Sequence, residues 1–124
     1  MSKDTKEGMM AILEASDIKV PAELAFDKVE KKSDAHVISF KNDSISDEAK
    51  TKLDEWFTKQ LTEMEKAGWK QRALREDEEM MGVVVNEIIM YPPSEKKIDV
   101  TYGLTLSTSY VKDKKSYSFY VNAN

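Results

Sequence analysis

Cysteine is absent from the 124-residue chain. With it go thiol nucleophiles, cysteine-ligated zinc or iron–sulfur sites, dithiol redox chemistry and any disulfide framework. The compartment stays open, since cytosolic and exported domains alike can lack cysteine. Glycine is nearly as scarce, occurring only as Gly8, Gly68, Gly82 and Gly103, too sparsely spaced for a phosphate-cradling loop or a dinucleotide fingerprint. The sole histidine, His36, stands beside Val37 and Ile38. A structural role or simple exposure is expected for it rather than general-base or metal-ligand work. A serine hydrolase would need a Gly-x-Ser-x-Gly elbow, and none occurs. Long apolar runs are missing too. The best candidate, residues 80–91, is interrupted by Gly82, Asn86 and Glu87, short of the ~18 apolar residues a membrane-spanning helix needs. The Met-Ser-Lys-Asp start has no apolar segment behind it, so no signal peptide is expected in the chain as written. Read so, the chain is cytoplasmic; were Met1 a replacement for a removed signal, it would be periplasmic or lipid-anchored.

Charge is what the chain has in quantity. Nineteen basic and 23 acidic residues leave a net charge of −4. Both signs are interspersed, as on an ordinary solvated surface, and no basic stripe of the kind that recognises nucleic acid is present. Lys112, Lys114 and Lys115 around Asp113 read as a turn between strands. Glu76-Asp77-Glu78-Glu79 reads as an acidic solvated turn, because calcium loops place oxygen ligands on alternate positions around a glycine and this run does not. Carboxylates are numerous enough for a paired-acid enzyme, yet no pattern favours one. No cofactor and no metal is expected.

Helical spacing appears twice. Met9, Met10, Ile12 and Leu13 form one stripe and predict a short helix over residues 5–15. Ala49, Leu53, Trp56, Phe57, Leu61, Met64 and Ala67 recur at intervals of three and four and predict a long helix over residues 47–67. Ser44 or Ser46 can cap its start, Ser44-x-x-Asp47 resembles a capping box, and Gly68 stands where a left-handed C-cap belongs. Leu53, Phe57, Leu61 and Met64 are the expected buried stripe. Alternation marks the rest. Leu24 and Phe26, then Val37, Ile38 and Phe40, predict two strands joined across Lys31-Lys32-Ser33-Asp34. Residues 69–75 predict a third strand. Residues 80–91 fit a strand or an amphipathic helix, and Val83-Val84-Val85 with Ile88-Ile89 favours the strand. Asn86 and Glu87 interrupt it: a bulge or an edge would turn them to water, whereas an inward carboxylate would be costly unless paired. After the break at Pro92-Pro93, Ile98, Val100, Tyr102, Leu104 and Leu106 alternate with Asp99, Thr101, Gly103 and Thr105 as the clearest strand of all, and a last strand covers residues 116–121. These elements give one α+β domain over residues 1–124. An antiparallel sheet of about five to six strands is packed on one face by the long helix and the short N-terminal one.

Two functional surfaces follow. The final strands are rich in serine, threonine and tyrosine, the residues of adaptable binding surfaces, and Tyr110, Tyr117 and Tyr120 mark a candidate face for a protein, a peptide or a second copy of the chain. The competing reading is that such residues simply suit an exposed sheet face. Trp56, Met64, Tyr102 and Leu104 could instead line an apolar pocket between helix and sheet, as in a small-molecule carrier.

The helix closing on Ala67-Gly68-Trp69-Lys70 and the strands ending in Ile98-Asp99-Val100-Thr101-Tyr102, preceded by Val20-Pro21, resemble small bacterial cell-envelope and lipoprotein-like domains of unknown function. The resemblance implies a strand–helix–sheet domain, often exported, with no assigned catalysis. The extra N-terminal helix departs from it. A non-enzymatic binding or interaction domain is the expected function, a carrier the alternative, and an enzyme working through carboxylates or a tyrosine the least favoured.

Overall fold

Thr5 and Ser46 start the two helices of the computed structural model, which describes residues 2–124. Thr5 Oγ1 accepts the Gly8 amide at 3.0 Å and opens α1 (Lys6–Ala15). Ser46 Oγ accepts the Ala49 amide at 3.1 Å and opens α2 (Asp47–Lys66). Each hydroxyl satisfies an amide that helix geometry leaves without a partner. Of the two candidate serines Ser46 is therefore the cap; Ser44 lies in the preceding turn, its amide donating to Asn42 Oδ1 at 3.2 Å. At the other end of α2 the Trp69 amide donates to the Met64 carbonyl and the Gly68 amide to the Glu65 carbonyl, both at 3.0 Å. Gly68 sits at φ +100° to allow this. The pattern is a Schellman turn, which only a residue tolerant of the left-handed region closes without strain.

Six strands form the sheet: β1 (Ala25–Lys32), β2 (Ala35–Asn42), β3 (Lys70–Met80), β4 (Val83–Tyr91), β5 (Leu104–Val111) and β6 (Ser116–Ala123). Their spatial order is β1-β2-β6-β5-β4-β3, with every neighbouring pair antiparallel. The α+β architecture expected from the residue pattern is thus present, with six strands, a long helix and a short one. The last strand, β6, lies in the middle of the sheet, and the edges are β1 and β3.

One face of the sheet carries the core. Ile38, Phe40, Met90, Leu104, Leu106, Phe119 and Val121 meet Met9, Ile12 and Leu13 from α1 and Leu53, Phe57 and Met64 from α2. Phe119 is its centre: Phe40, Phe57 and Trp56 place their ring centroids 6.3, 6.2 and 4.9 Å from it, the last two edge-on. Such geometry suits the aromatic quadrupole and adds to the area buried. Leu61 is half-buried at the margin.

Three expected boundaries move. Glu76 to Glu79 form no turn; they belong to β3, which runs on to Met80, and the reversal falls at Met81-Gly82. The strand accommodates them by leaving register twice, between Ala73 and Arg75 and between Arg75 and Glu78. Residues 98–103 are not strand despite their alternation, and β5 begins only at Leu104. In that loop the Val100 amide turns back to the Ile98 carbonyl at 2.8 Å, and the Thr101 amide donates to the Asn124 carbonyl at 2.6 Å. Ile98 and Val100 still pack against the core, so the alternation records a loop laid over it. Leu24, finally, is buried before β1 begins. The ambiguous residues 80–91 do form a strand, β4.

Candidate functional site

Period-two alternation in β5 and β6 sorts their residues cleanly. Tyr117, Phe119, Val121 and Ala123 of β6 face the helices with Leu104, Leu106 and Thr108 of β5, and all are buried. Ser116, Ser118, Tyr120 and Asn122 therefore point to the other face, with Thr105, Ser107, Ser109 and Val111. Both helices bury their apolar stripes into the core on the first face, and the second carries no helix. Antiparallel register builds rows across it. The central row reads Arg75, Glu87, Ser107, Tyr120, Ser39 and Lys28 from β3 to β1. A parallel row of Met80, Val83, Val111 and Ser116 makes one corner apolar.

That corner projects. Met81, at φ +52°, and Gly82 form a two-residue turn between paired Met80 and Val83. Met80 is 65% exposed and Met81 96%. The Lys112 amide donates to the Gly82 carbonyl at 3.0 Å, which sets the β3–β4 tip beside the lysine-rich β5–β6 turn. Lys112 Nζ also pairs with Glu79 at 2.6 Å.

The three tyrosines expected together are divided by the sheet. Tyr120 is on the open face at its centre. Tyr117 is inward and 1% exposed, with Tyr110 beside it on the same side, ring centroids 6.3 Å apart. Lys50 Nζ lies 5.2 Å over the Tyr110 ring and 2.6 Å from Asp54. Tyr117 Oη is buried near Thr108 and Asp54 and makes no hydrogen bond of good geometry. Burial first, and the negative charge of Asp54 second, hold its phenol well above the ordinary tyrosine range.

Trp56, Met64, Tyr102 and Leu104 do not converge either. Leu104 is sealed in the core, and Tyr102 stands 71% exposed in the loop before β5. Trp56 and Met64 border a different feature, an open groove of about 610 Å³ on the flank of α2 against the α1–β1 connection. Its wall is pinned by Trp56 and by Gln60, the second of which sequence reading did not single out. Gln60 donates to the Asp17 carbonyl at 3.1 Å and accepts the Lys19 amide at 3.3 Å, while Trp56 Nε1 donates to the Lys19 carbonyl at 2.9 Å.

The two interruptions of β4 have structural explanations. Asn86 Oδ1 accepts the Asp77 amide at 2.9 Å, filling the gap where β3 leaves register. Glu87 faces Arg75 at 3.8 Å on the open face. The bulging thus lies in the partner strand, not in β4 itself. His36 holds the N-terminal segment to β2, Nε2 lying 2.7 Å from Asp4 Oδ1, with Nδ1 buried and unpartnered. Among the described residues no three acidic or histidine side chains are grouped to hold a metal ion. Among the same residues no helix is long and apolar enough to cross a membrane.

No protein-family model, no curated protein and no solved structure matches the chain.

Proposed function

We propose that this chain is a non-enzymatic protein-interaction domain and that the helix-free face of its sheet is the binding surface. The observation that carries the reading is the make-up of that face. Small hydroxyl side chains of β5 and β6 surround Tyr120, and an apolar corner of Met80, Val83 and Val111 flanks them. Tyrosine among serines offers broad contact at little rotamer cost, with adaptable hydrogen bonds around it. Exposed methionine adds a soft apolar anchor. The state of Tyr117 supports the non-enzymatic part: a phenol kept neutral by burial is unsuited to general-base or nucleophilic work near neutral pH. A place in a cell envelope rests on the sequence resemblance alone. The test is site-specific photocrosslinking in the native host with the photoreactive residue at Ser118, at Val111 or, as a control, at Lys52 on the solvent side of α2. Discrete adducts are expected from the first two and not from the third, and a Tyr120→Asp change is expected to abolish them. Equal adducts from all three positions would sink the reading.

The groove beside α2 supports a second reading, a carrier of a small ligand, because hydrogen bonds from Gln60 and Trp56 preform its wall. Here a ligand would raise the melting temperature of the wild type and not of Gln60→Ala, with Tyr120→Asp behaving as wild type.

A further inference from the structure

The β3 edge differs from the β1 edge in how its charges are arranged. On β1, Glu30 pairs with Lys28 and Lys32 of the same strand, at 3.8 and 3.4 Å. On β3 the cations Lys70, Arg72 and Arg75 occupy the first half, and Glu76, Asp77, Glu78 and Glu79 the second. Every residue of the strand is exposed. Arg75 and Glu79 have partners in Glu87 and Lys112. Among the described residues, Lys70, Arg72, Glu76 and Glu78 have none.

The register sharpens this. Arg72 pairs with Ile89, Arg75 with Glu87 and Glu78 with Val85. The bulges therefore leave Arg72 and Glu78 equally far from Arg75, each two positions along β4, or about 7 Å. All three lie on the helix-free face. A two-fold axis at Arg75 would thus set Arg72 against Glu78 of another copy, twice, with Gln71 against Glu79 on the helix side. On the axis Arg75 meets its own copy, each guanidinium held by Glu87 of its own chain, and Lys70 meets Met80, so the two Arg72–Glu78 pairs carry the complementarity. A parallel approach in register would instead set Arg72 against Arg72 and Glu78 against Glu78.

The geometry points to a second copy of this chain as the partner of the β3 edge, added antiparallel about a two-fold axis at Arg75. The free amides and carbonyls of the edge supply the pairing, and segregated charge sets its direction and register. The surface is the sheet edge rather than its face, so the pairing stands or falls independently of the binding face above. Bulges and charge are also how chains keep edges from pairing, and a blunted edge is the outcome that opposes the inference.

Sedimentation of the full chain over a concentration series separates the two. A reversible dimer that weakens as salt rises is expected. Arg72→Glu alone and Glu78→Arg alone should each weaken it about tenfold or more, because each sets like charges opposite one another twice per dimer. The double variant Arg72→Glu/Glu78→Arg restores opposite pairs and should recover the wild-type dimer. Circular dichroism on each variant confirms folding, which is expected because both side chains are exposed and unpaired. Arg75→Cys supplies the chain's one thiol and should give a disulfide-linked dimer on mild oxidation. A monomer at every concentration overturns the inference, and so does a dimer indifferent to both single reversals.

Discussion

Tyr117 carries an unusual burden for one side chain. It is among the largest fully buried residues, and its hydroxyl lies near Thr108 and Asp54 without a hydrogen bond of good geometry to either. A buried donor left unpaired is expensive, while removal of the polar atom leaves the ring packing in place. Tyr117→Phe is therefore expected to leave stability unchanged or raise it by about 1 kcal/mol in urea denaturation. The pH dependence has a definite sign. The folded state holds the phenol protonated beyond the ordinary tyrosine value of 10.0, whereas the unfolded chain releases that proton near it. Above about pH 10 the unfolded state thus binds fewer protons, and stability falls as pH rises, by up to about 1.4 kcal/mol per pH unit from this group. Below that window the group contributes no slope. Wild type and Tyr117→Phe compared at pH 8 and pH 10.5 should differ in alkaline sensitivity, the variant being flatter; equal slopes would show that the phenol is not so held. Gly103 is the counterpart in the backbone. It sits at φ +117°, and a Cβ there would stand 2.7 Å from the carbonyl oxygen of Met90, a core residue. Gly103→Ala should lower the denaturation midpoint, at unchanged m-value, by about 2 kcal/mol or more.

At the scale of elements, the β3–β4 hairpin is the least economical piece. Its turn needs left-handed backbone at both central positions, for which Asn-Gly is the favoured pair. The chain has Met81-Gly82. Met81→Asn is expected to stabilise by about 0.5–1 kcal/mol, seen as a higher denaturation midpoint. If the midpoint fell instead, Met81 would have packing contributions that its 96% exposure does not suggest. The same hairpin shows where sequence reading stopped. α2 was legible from its stripe, its capping serine and Gly68, because these signals are local. β4 was legible from its run of valines. The length of β3 was not: four consecutive acids resemble a turn, and what keeps them in a strand is Asn86 on the neighbouring strand reaching the Asp77 amide. Residues 98–103 failed in the opposite way. Their alternation is real, but Pro92-Pro93 and the hydrogen bond from Thr101 to Asn124 commit them to a loop, and period two reports burial on one side rather than pairing. Of the candidate sites, the hydroxyl-rich strands were visible in composition. The division of their tyrosines between two faces was not, because parity along β5 and β6 acquires a direction only once the helices choose a side.

For the whole molecule, both helices and the middle strands share one apolar cluster. Met9 and Leu13 of α1, Leu53 and Met64 of α2, and Leu104 and Phe119 of the sheet are all buried in it. No second cluster exists among the described residues that could hold part of the chain folded alone. The strands β1 and β3, being edges, depend on their neighbours β2 and β4, which are anchored in that cluster. Loss of the central packing should then release all elements together. The two tryptophans test this well. Trp56 lies edge-on to Phe119, and the buried Trp69 follows the end of α2, so fluorescence follows the seating of α2, while far-ultraviolet circular dichroism follows all eight elements. The two signals are expected to give one coincident urea transition, as for a single domain spanning the chain. Leu13→Ala, which opens a cavity under α1, should shift both by the same about 2–4 kcal/mol. Were the dichroism of the variant to melt in two steps with the tryptophan transition unmoved, α1 would be an independent appendage and the core would end at α2.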